Sequence, residues 1–305
     1  MPIILGASRS SNAESRAPKD LSALTVAIQE SESMHTDIVD GAEKHIRWYD
    51  KKQVKSKLAF VYIHGFSASR QELSPVTEEL ADKFSANVFY TRLTGHGRSD
   101  DAMAEASTDA WKKDIKDAYN IGRIIGEKVI LISTSTGGTL ATWLLAQEET
   151  EQPFANIMVS PNYAVQSGSA WLFNSSLGLW VAKLINGDYN AFDPISESHA
   201  KYWTERYPLE ALVPMMSLLS EVESLNKSKV TTPQLIIYSP KDSVIKPEKV
   251  IEVSNEFINS DLTLTPFTQS TDPYQHVLAG KACSPESSER MINLLADYVE
   301  QLLIK

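Results

Sequence analysis

Length, composition and charge indicate a globular protein and exclude several kinds of partner. The chain has 305 residues, of which 42% are hydrophobic, so it can bury a large core in one domain. Its net charge of −10 argues against nucleic acid, because phosphate backbones bind basic surfaces. The single cysteine, Cys283, allows no internal disulfide, which fits a reducing compartment, and we therefore expect a cytoplasmic protein. No apolar run approaches the roughly 18 residues that a transmembrane helix needs.

The predicted elements begin after a polar N-terminal stretch. Residues 1–20 are expected to be a flexible tail, and two short alternating segments, 34–39 and 45–49, indicate an antiparallel hairpin. Apolar strands then alternate with amphipathic helices, which is typical of a mostly parallel central sheet with helices on both faces. We therefore assign residues 21–161 and 229–305 to one α/β core.

The first buried strand leads into a candidate anion-binding turn. The apolar run 58–63 is followed directly by His64, Gly65 and Phe66. A His-Gly pair at this place allows the next backbone amide to turn toward the end of the sheet. The amide of Phe66 is therefore a candidate donor to an oxyanion.

A strand–turn–helix elbow is predicted around Ser135. The apolar run 129–132 indicates a buried strand, the segment S-T-S-T-G-G covers residues 133–138, and a Leu- and Ala-rich helix follows. The usual pattern is G-x-S-x-G, and here Ser133 replaces the first glycine. A serine at this turn projects its hydroxyl above the sheet, and the first helical amides, beginning with Thr136, point at the group bonded to it. A polar loop without chemistry is the alternative interpretation.

A long segment after the next strand has no strand pattern. Residues 161–232 are instead helical and aromatic, and a stretch of this length in a compact domain must form structure of its own. We expect residues 162–228 to form an inserted helical cap. Trp171, Phe173 and Trp180 are candidates for the lining of an apolar substrate pocket, and the alternative is that they only pack the cap onto the core.

Two further side chains follow strands downstream of Ser135. Asp242 lies in a loop just past the apolar run 235–238, and His276 lies in a polar loop after the run 262–267. Because the carboxyl ends of parallel strands meet at one edge of a sheet, both side chains are expected near the serine. The order serine, acid, histidine is the order of a catalytic triad built on this elbow.

Other residues of the same types compete for these roles, among them Ser133, His64, His96, Asp272 and Asp261, and Asp261 precedes a strand, which is the wrong end of the sheet. Ser133 lies two residues before Ser135 and would therefore belong to the strand and not to the turn. We therefore favour Ser135 as the nucleophile. His64 and His96 precede the nucleophile in the chain and fit structural roles better than that of the base. Asp272 lies too close to His276 in sequence to orient it easily, so Asp242 is preferred.

These motifs resemble those of the α/β-hydrolase superfamily, and in particular its carboxylesterase and monoacylglycerol-lipase-like branch. The resemblance rests on the His64 turn, the G-H-G-R-S run at 95–99, the Ser135 elbow, the loop of Asp242 and His276. It implies an α/β-hydrolase fold with an inserted cap and requires no metal or organic cofactor. The departures are Ser133 at the elbow and Thr94 where the family often has proline, and neither removes a catalytic group.

The expected function is that of a serine ester hydrolase acting on small to medium acyl esters. His276 would be the base, Asp242 would orient it, and the amides of Phe66 and Thr136 would hold the oxyanion. The substrate would be a small ester or a lipid, which allows transient contact with a lipid surface. The sequence does not indicate an oligomeric state. Alternatives are an acyltransferase that uses the same triad and a non-catalytic binding protein. Peptide hydrolysis has no positive signal in the sequence.

Overall fold

The computed structural model describes residues 20–168, 173 and 176–304. The strands are β1 (His45–Arg47), β2 (Ser56–Ile63), β3 (Asn87–Tyr90), β4 (Gly126–Thr134), β5 (Ala155–Val159), β6 (Tyr189–Ala191), β7 (Arg206–Pro208), β8 (Gln234–Tyr238) and β9 (Leu262–Pro266). The helices are α1 (Ser22–Ser33), α2 (Val76–Phe84), α3 (Thr108–Ile125), α4 (Thr136–Leu145), α5 (Ser176–Asn186), α6 (Glu197–Tyr202), α7 (Leu212–Ser224), α8 (Pro247–Ser254) and α9 (Ser288–Ile304). Short 3₁₀ turns, such as Asp100–Glu105, connect some of them.

A seven-stranded sheet in the order β1-β3-β2-β4-β5-β8-β9 forms the centre of the described chain. Only its edge strand β1 is antiparallel, to β3, and every other neighbouring pair is parallel. The carboxyl ends of β2, β4, β8 and β9 therefore lie along one edge. The predicted mostly parallel sheet is confirmed.

Helices cover both faces because side chains alternate along each strand. In β2, Val61 packs in one buried cluster with residues of α1, α3, α4, α7 and α8. Phe60 and Tyr62 point to the other face and pack with residues of α2 and α9. This two-sided burial explains why the central strands are continuous apolar runs rather than alternating ones.

The N-terminal hairpin predicted at 34–39 and 45–49 is wrong. Residues 34–39 form no strand, and the amide of Val39 donates instead to the carbonyl of Gly97 at 2.9 Å. The second segment contributes β1, which pairs with the distant strand β3. Alternation in a short segment predicts a half-buried strand but does not identify the strand with which it pairs. Here the partner is β3, which is distant in sequence. Residues 1–19 of the predicted tail lie outside the described residues.

The chain between β5 and β8 holds α5, the small β6–β7 sheet, α6 and α7. Helix α7 lies against α3 and α4, and its Leu218 and Val222 are buried in the main core. It therefore completes the helical layer of the core, although the sequence analysis assigned it to an insertion that ends at residue 228. Tyr163 packs in the same core, whereas the described residues from 176 to 211 do not. Within the part of the chain that the structure describes, no helix is long and apolar enough to cross a bilayer.

Candidate active site

Ser135 occupies a sharp turn between β4 and α4. Its backbone has φ +51° and ψ −118°, a conformation that non-glycine residues adopt only when the surroundings enforce it. The amide of Ser135 donates to the carbonyl of Val159 at 3.1 Å, and the amide of Gly138 donates to the carbonyl of Ser135 at 2.9 Å. These bonds fix the turn, and the side chain of Ser135 is 7% exposed at the edge of the sheet.

Close packing around the elbow explains its small residues. A Cβ atom on Gly137 would lie 2.2 Å from the carbonyl oxygen of Ile63, so this position requires glycine. Ser133, which stands where the usual pattern has its first glycine, is fully buried, and its hydroxyl donates to the carbonyl of Ile157 at 3.4 Å. This position accommodates a serine because the side chain turns toward β5.

The three residues predicted to act together are in contact. The hydroxyl of Ser135 donates to Nε2 of His276 at 3.0 Å, and Nδ1–H of His276 donates to Oδ2 of Asp242 at 2.7 Å. All three side chains are buried. A serine hydroxyl on one nitrogen and a carboxylate on the other is the arrangement in which the imidazole can remove the serine proton.

Asp242 is held in place by its own loop. The second oxygen of Asp242, Oδ1, accepts from the amides of Val244 and Ile245, each at 2.9 Å. These bonds leave Oδ2 directed at His276. The loop of Asp242 is in turn joined to the chain after β5, because the amide of Lys246 donates to the carbonyl of Ala164 at 2.8 Å.

The histidine loop is anchored by Asp272, which the sequence analysis had weighed as a weaker candidate for the acid. Its Oδ2 accepts from the amides of His276 and Val277, each at 2.8 Å. The hydroxyl of Ser160, at the end of β5, donates to the carbonyl of His276 at 2.8 Å. Asp272 therefore supports the backbone of the loop, whereas Asp242 contacts the imidazole.

The pKa of His276 is raised above its ordinary value of 6.5. Burial by itself lowers this pKa, but the hydrogen bond and the negative charge of Asp242 more than offset burial, and the charges of Glu72 and Asp272 act in the same direction. The imidazolium form is therefore favoured beside the serine, as a base that accepts a proton requires.

We expect kcat/KM for an ester to rise with pH through the ionisation of His276, because only the neutral imidazole accepts the serine proton. Since the pKa is raised, the midpoint of this rise should lie above 6.5. An Asp242→Asn variant should move the midpoint to lower pH, because it removes the charge that stabilises the imidazolium. Initial rates between pH 5 and 9 test this, and a flat profile would contradict it.

The turn after β2 brings Phe66 to the same edge. Nδ1–H of His64 donates to the carbonyl of Gly65 at 2.8 Å, and Nε2 accepts from the amide of Leu93 at 3.1 Å. Burial lowers the pKa of His64 to about 4, so this ring is a neutral support of the turn. His96, whose pKa burial also lowers, lies against it, with the two ring centroids 5.1 Å apart.

Two backbone amides beside Ser135 remain available for a ligand. Neither the amide of Phe66 nor that of Thr136 donates to an acceptor among the described residues. Thr136 is the first residue of α4, where amides carry the positive end of the helix dipole. These are the two amides named from the sequence as oxyanion donors.

The three residues predicted to line the substrate pocket differ in where the structure places them. Trp171 lies outside the described residues, and Phe173 is half-buried. Trp180 lies on α5 with 59% of its surface exposed. Near the triad, the ring of Phe66 instead contacts that of Tyr207, with centroids 5.1 Å apart.

Sequence reasoning missed the supporting roles of four residues. Asp272 and Ser160 hold the histidine loop, and Glu72 and Tyr62 lie beneath the Gly65 turn. Their roles depend on which loops meet in space, and no periodicity or motif marks them.

Comparison with known proteins places the chain in a family. A family model described as "Serine aminopeptidase, S33" matches residues 54–270. No curated protein matches the sequence. Among solved structures, a metagenome-derived lipolytic enzyme from a study of LipS and LipT has a TM-score of 0.71 at 20% identity, covering 87% of this chain and 99% of that one.

Two monoglyceride lipases are also similar in structure. The monoacylglycerol lipase of Paleococcus ferrophilus has a TM-score of 0.63 at 14% identity, covering 85% of this chain and 99% of that one. A soluble variant of the Saccharomyces cerevisiae monoglyceride lipase has a TM-score of 0.65 at 10% identity, covering 85% and 91%. At such identities the likeness is one of fold. With the matched family model spanning most of the sheet, the chain belongs to the serine aminopeptidase S33 family of α/β hydrolases.

Proposed function

We propose that the protein is a serine hydrolase that cleaves carboxylic esters through an acyl-enzyme on Ser135. The observation that carries this proposal is the continuous hydrogen-bonded line from the Ser135 hydroxyl through His276 to Asp242, with distances of 3.0 and 2.7 Å. The available amides of Phe66 and Thr136 beside it support the same chemistry. A protein that only binds a ligand has no need of this complete set.

The proposed reaction follows from these positions. The oxygen of Ser135 attacks the ester carbonyl as its proton moves to Nε2 of His276, and the carbonyl oxygen becomes an oxyanion held by the two amides. The imidazolium then gives that proton to the leaving alkoxide, which departs as an alcohol. Water next attacks the acyl-enzyme, its proton passes to His276, and the acid leaves as Ser135 regains a proton.

Esters are favoured over peptides with a free amino terminus. An aminopeptidase needs an acceptor for the ammonium group of its substrate, and a carboxylate is the usual one. The carboxylates around the triad, Asp242, Asp272 and Glu72, each accept hydrogen bonds from the chain's own backbone amides. The aromatic contact between Phe66 and Tyr207 beside the oxyanion position suits an apolar acyl chain.

We further propose that residues 176–211, which belong to the predicted cap, lie over the triad. The amide of Thr204 donates to the carbonyl of Ser67 at 2.8 Å, in the turn that carries Phe66. Trp203 packs in one buried cluster with Val277, the residue after His276. The segment therefore contacts the two loops on either side of Ser135, which is the position of a lid that excludes water.

Helix α5 of this cap exposes an apolar face. Trp180, Leu184 and Ile185 are 59%, 65% and 71% exposed. We expect Trp180→Ala to lower kcat/KM for an octanoyl ester relative to an acetyl ester, because only the longer chain reaches beyond the triad to the cap. The matched control is Ile258→Ala, because Ile258 is an apolar residue of the α/β domain outside the proposed cap and is 73% exposed. An unchanged ratio with a lower melting temperature would show that Trp180 only packs.

The function is tested with p-nitrophenyl esters from acetyl to octanoyl and with aminoacyl p-nitroanilides that carry a free amino group. We expect turnover of the esters and none of the anilides. Preferential cleavage of the anilides would assign the protein as an aminopeptidase, and the absence of any turnover would favour a binding protein. Adding a primary alcohol identifies an acyltransferase, because a new ester then replaces the free acid as the product. The cytoplasmic location expected from the single cysteine stays a prediction.

A further inference from the structure

A buried carboxyl that the proposed mechanism does not use lies directly beneath the active-site turn. Glu72, between β2 and α2, is 2% exposed. Its Oε2 accepts from the amide of Gly65 at 2.8 Å and from the hydroxyl of Tyr62 at 2.9 Å. The Tyr62 hydroxyl also lies 3.1 Å from Oγ1 of Thr134, the residue before Ser135. One carboxyl therefore links the end of β2 to the end of β4.

Glu72 also lies close to the nucleophile. A Cβ atom on Gly65 would lie 2.9 Å from Oε1 of Glu72 and 3.1 Å from Cβ of Ser135. Only a glycine at this position lets the carboxyl and the serine approach the same peptide. The loop after His276 meets Glu72 as well, because Gly280, with φ +106°, brings its Cα so near that a Cβ atom would lie 2.4 Å from the carbonyl oxygen of Glu72.

We propose that Glu72 is a positioning residue of the active site, which holds the Gly65 turn so that the Phe66 amide faces the oxyanion, and whose negative charge stabilises the imidazolium of His276. This inference rests on the proposed ester hydrolase function. It adds to that function a support for the turn that no motif indicates.

Both backbone polar groups of Gly65 form hydrogen bonds with side chains. Glu72 accepts from its N–H, and Nδ1–H of His64 donates to its carbonyl. With both polar groups of Gly65 bound, the direction of the next amide, that of Phe66, is restricted before substrate arrives. Preorganised donors of this kind need no reorganisation during the reaction, and a misplacement of about 1 Å can cost about 100-fold in rate.

The charge of Glu72 faces a small set of titratable groups. These are Tyr62 on β2 and His276 and Cys283 in the chain after β9. Burial raises the pKa of Glu72 to about 7, although the bonds from Gly65 and Tyr62 and the charge of His276 act to lower it. Glu72 and His276 therefore titrate as a coupled pair, with Asp242 and Asp272 as the other charges that raise the pKa of the imidazole.

The test uses two substitutions at Glu72 and the same two at a matched residue. Glu72→Gln keeps an oxygen that can accept from Gly65 and Tyr62 but removes the charge, and Glu72→Ala removes both. The control is Asp114, a half-buried carboxyl of α3 that accepts from the amide of Thr94 at 2.6 Å and from its hydroxyl at 2.8 Å. Burial raises the pKa of Asp114 too, so Asp114→Asn and Asp114→Ala reproduce the loss of a similar carboxyl away from Ser135.

We expect Glu72→Ala to lower kcat by about 10- to 100-fold with KM for a short ester changed less than about threefold. Glu72→Gln should restore most of that kcat at pH 8 and should shift the acidic limb of kcat/KM to lower pH by about half a unit, since a charge that raises the pKa of His276 is gone. Circular dichroism and melting temperature identify the folded fraction, to which all rates are normalised. The Asp114 variants should change neither kcat nor the acidic limb.

The proposal is overturned if Glu72→Ala loses no more kcat than Asp114→Ala, or if Glu72→Gln leaves the acidic limb unchanged. A titration of the His276 ring by NMR gives the same pKa comparison without any substrate. If the wild-type protein hydrolyses no ester, the proposed function fails, and the NMR comparison still decides whether Glu72 acts on His276. If the wild type hydrolyses esters but the Glu72 variants behave like the Asp114 variants, this inference fails and the proposed function stands.

Discussion

Replacing Ser135 with alanine is expected to lower kcat for p-nitrophenyl esters by a factor on the order of 10⁵ or more. The substitution removes the atom that bonds to the acyl group and leaves the oxyanion donors in place, so only a residual rate from binding and electrostatics remains. The fold should be unchanged, because the Ser135 side chain donates only to His276 and the strained turn is held by backbone bonds. Steady-state kinetics with a melting curve measure both effects.

Ser133→Ala is the matched control for this prediction. Ser133 lies in the same elbow and is also buried, but its hydroxyl donates weakly to the carbonyl of Ile157. We expect its loss to change kcat by less than about threefold, as for a single neutral hydrogen bond. If Ser135→Ala keeps more than about 1% of the wild-type rate, or if Ser133→Ala is the inactive variant, the nucleophile has been assigned wrongly.

The second large effect is expected at the base and its acid. His276→Ala should be nearly as inactive as Ser135→Ala, and the double variant should be no worse than either, because residues that act as a unit do not contribute additively. Asp242→Asn should lower kcat by about 10⁴-fold, since an amide cannot hold the imidazole in the same tautomer or stabilise its charge. Kinetics of the single and double variants at pH 8 provide the measurement.

Asp272→Asn separates orientation of the ring from support of its loop. Asp272 accepts from two backbone amides, and an asparagine oxygen can still accept there, so we expect a loss of less than about tenfold. The assignment of the acid would be contradicted if Asp272→Asn were the more damaging substitution, or if Asp242→Asn kept full activity.

The contact among Ser135, Asp242 and His276 could be predicted because chemistry and topology agree along the chain. Ser135, Asp242 and His276 each follow an apolar strand, and parallel strands bring their carboxyl ends to one edge. The order of the three residues limits the choice further. The hydrogen-bond distances of 3.0 and 2.7 Å could not be predicted, because they depend on how the loops of Asp242 and His276 bend toward Ser135.

Other features depend on contacts between distant segments. Strand β1 pairs with β3 and not with its neighbour in sequence, and alternation alone cannot identify that partner. Helix α7 has the same apolar character as the segment before it, so the sequence did not separate it from the insertion. Glu72 is polar at a position surrounded by buried residues, and its partners Gly65 and Tyr62 are identified only once the turn and α2 are packed.

The central claim is that Ser135 is the activated nucleophile, and covalent labelling tests it most directly. The folded wild-type protein is treated with a fluorophosphonate, digested, and the modified residue is located by mass spectrometry. The account predicts one adduct per chain, on Ser135, absent in Ser135→Ala, unaffected in Ser133→Ala and much slower to form in His276→Ala. An adduct on Ser133 or any other residue, or no adduct on the folded wild type, would contradict it.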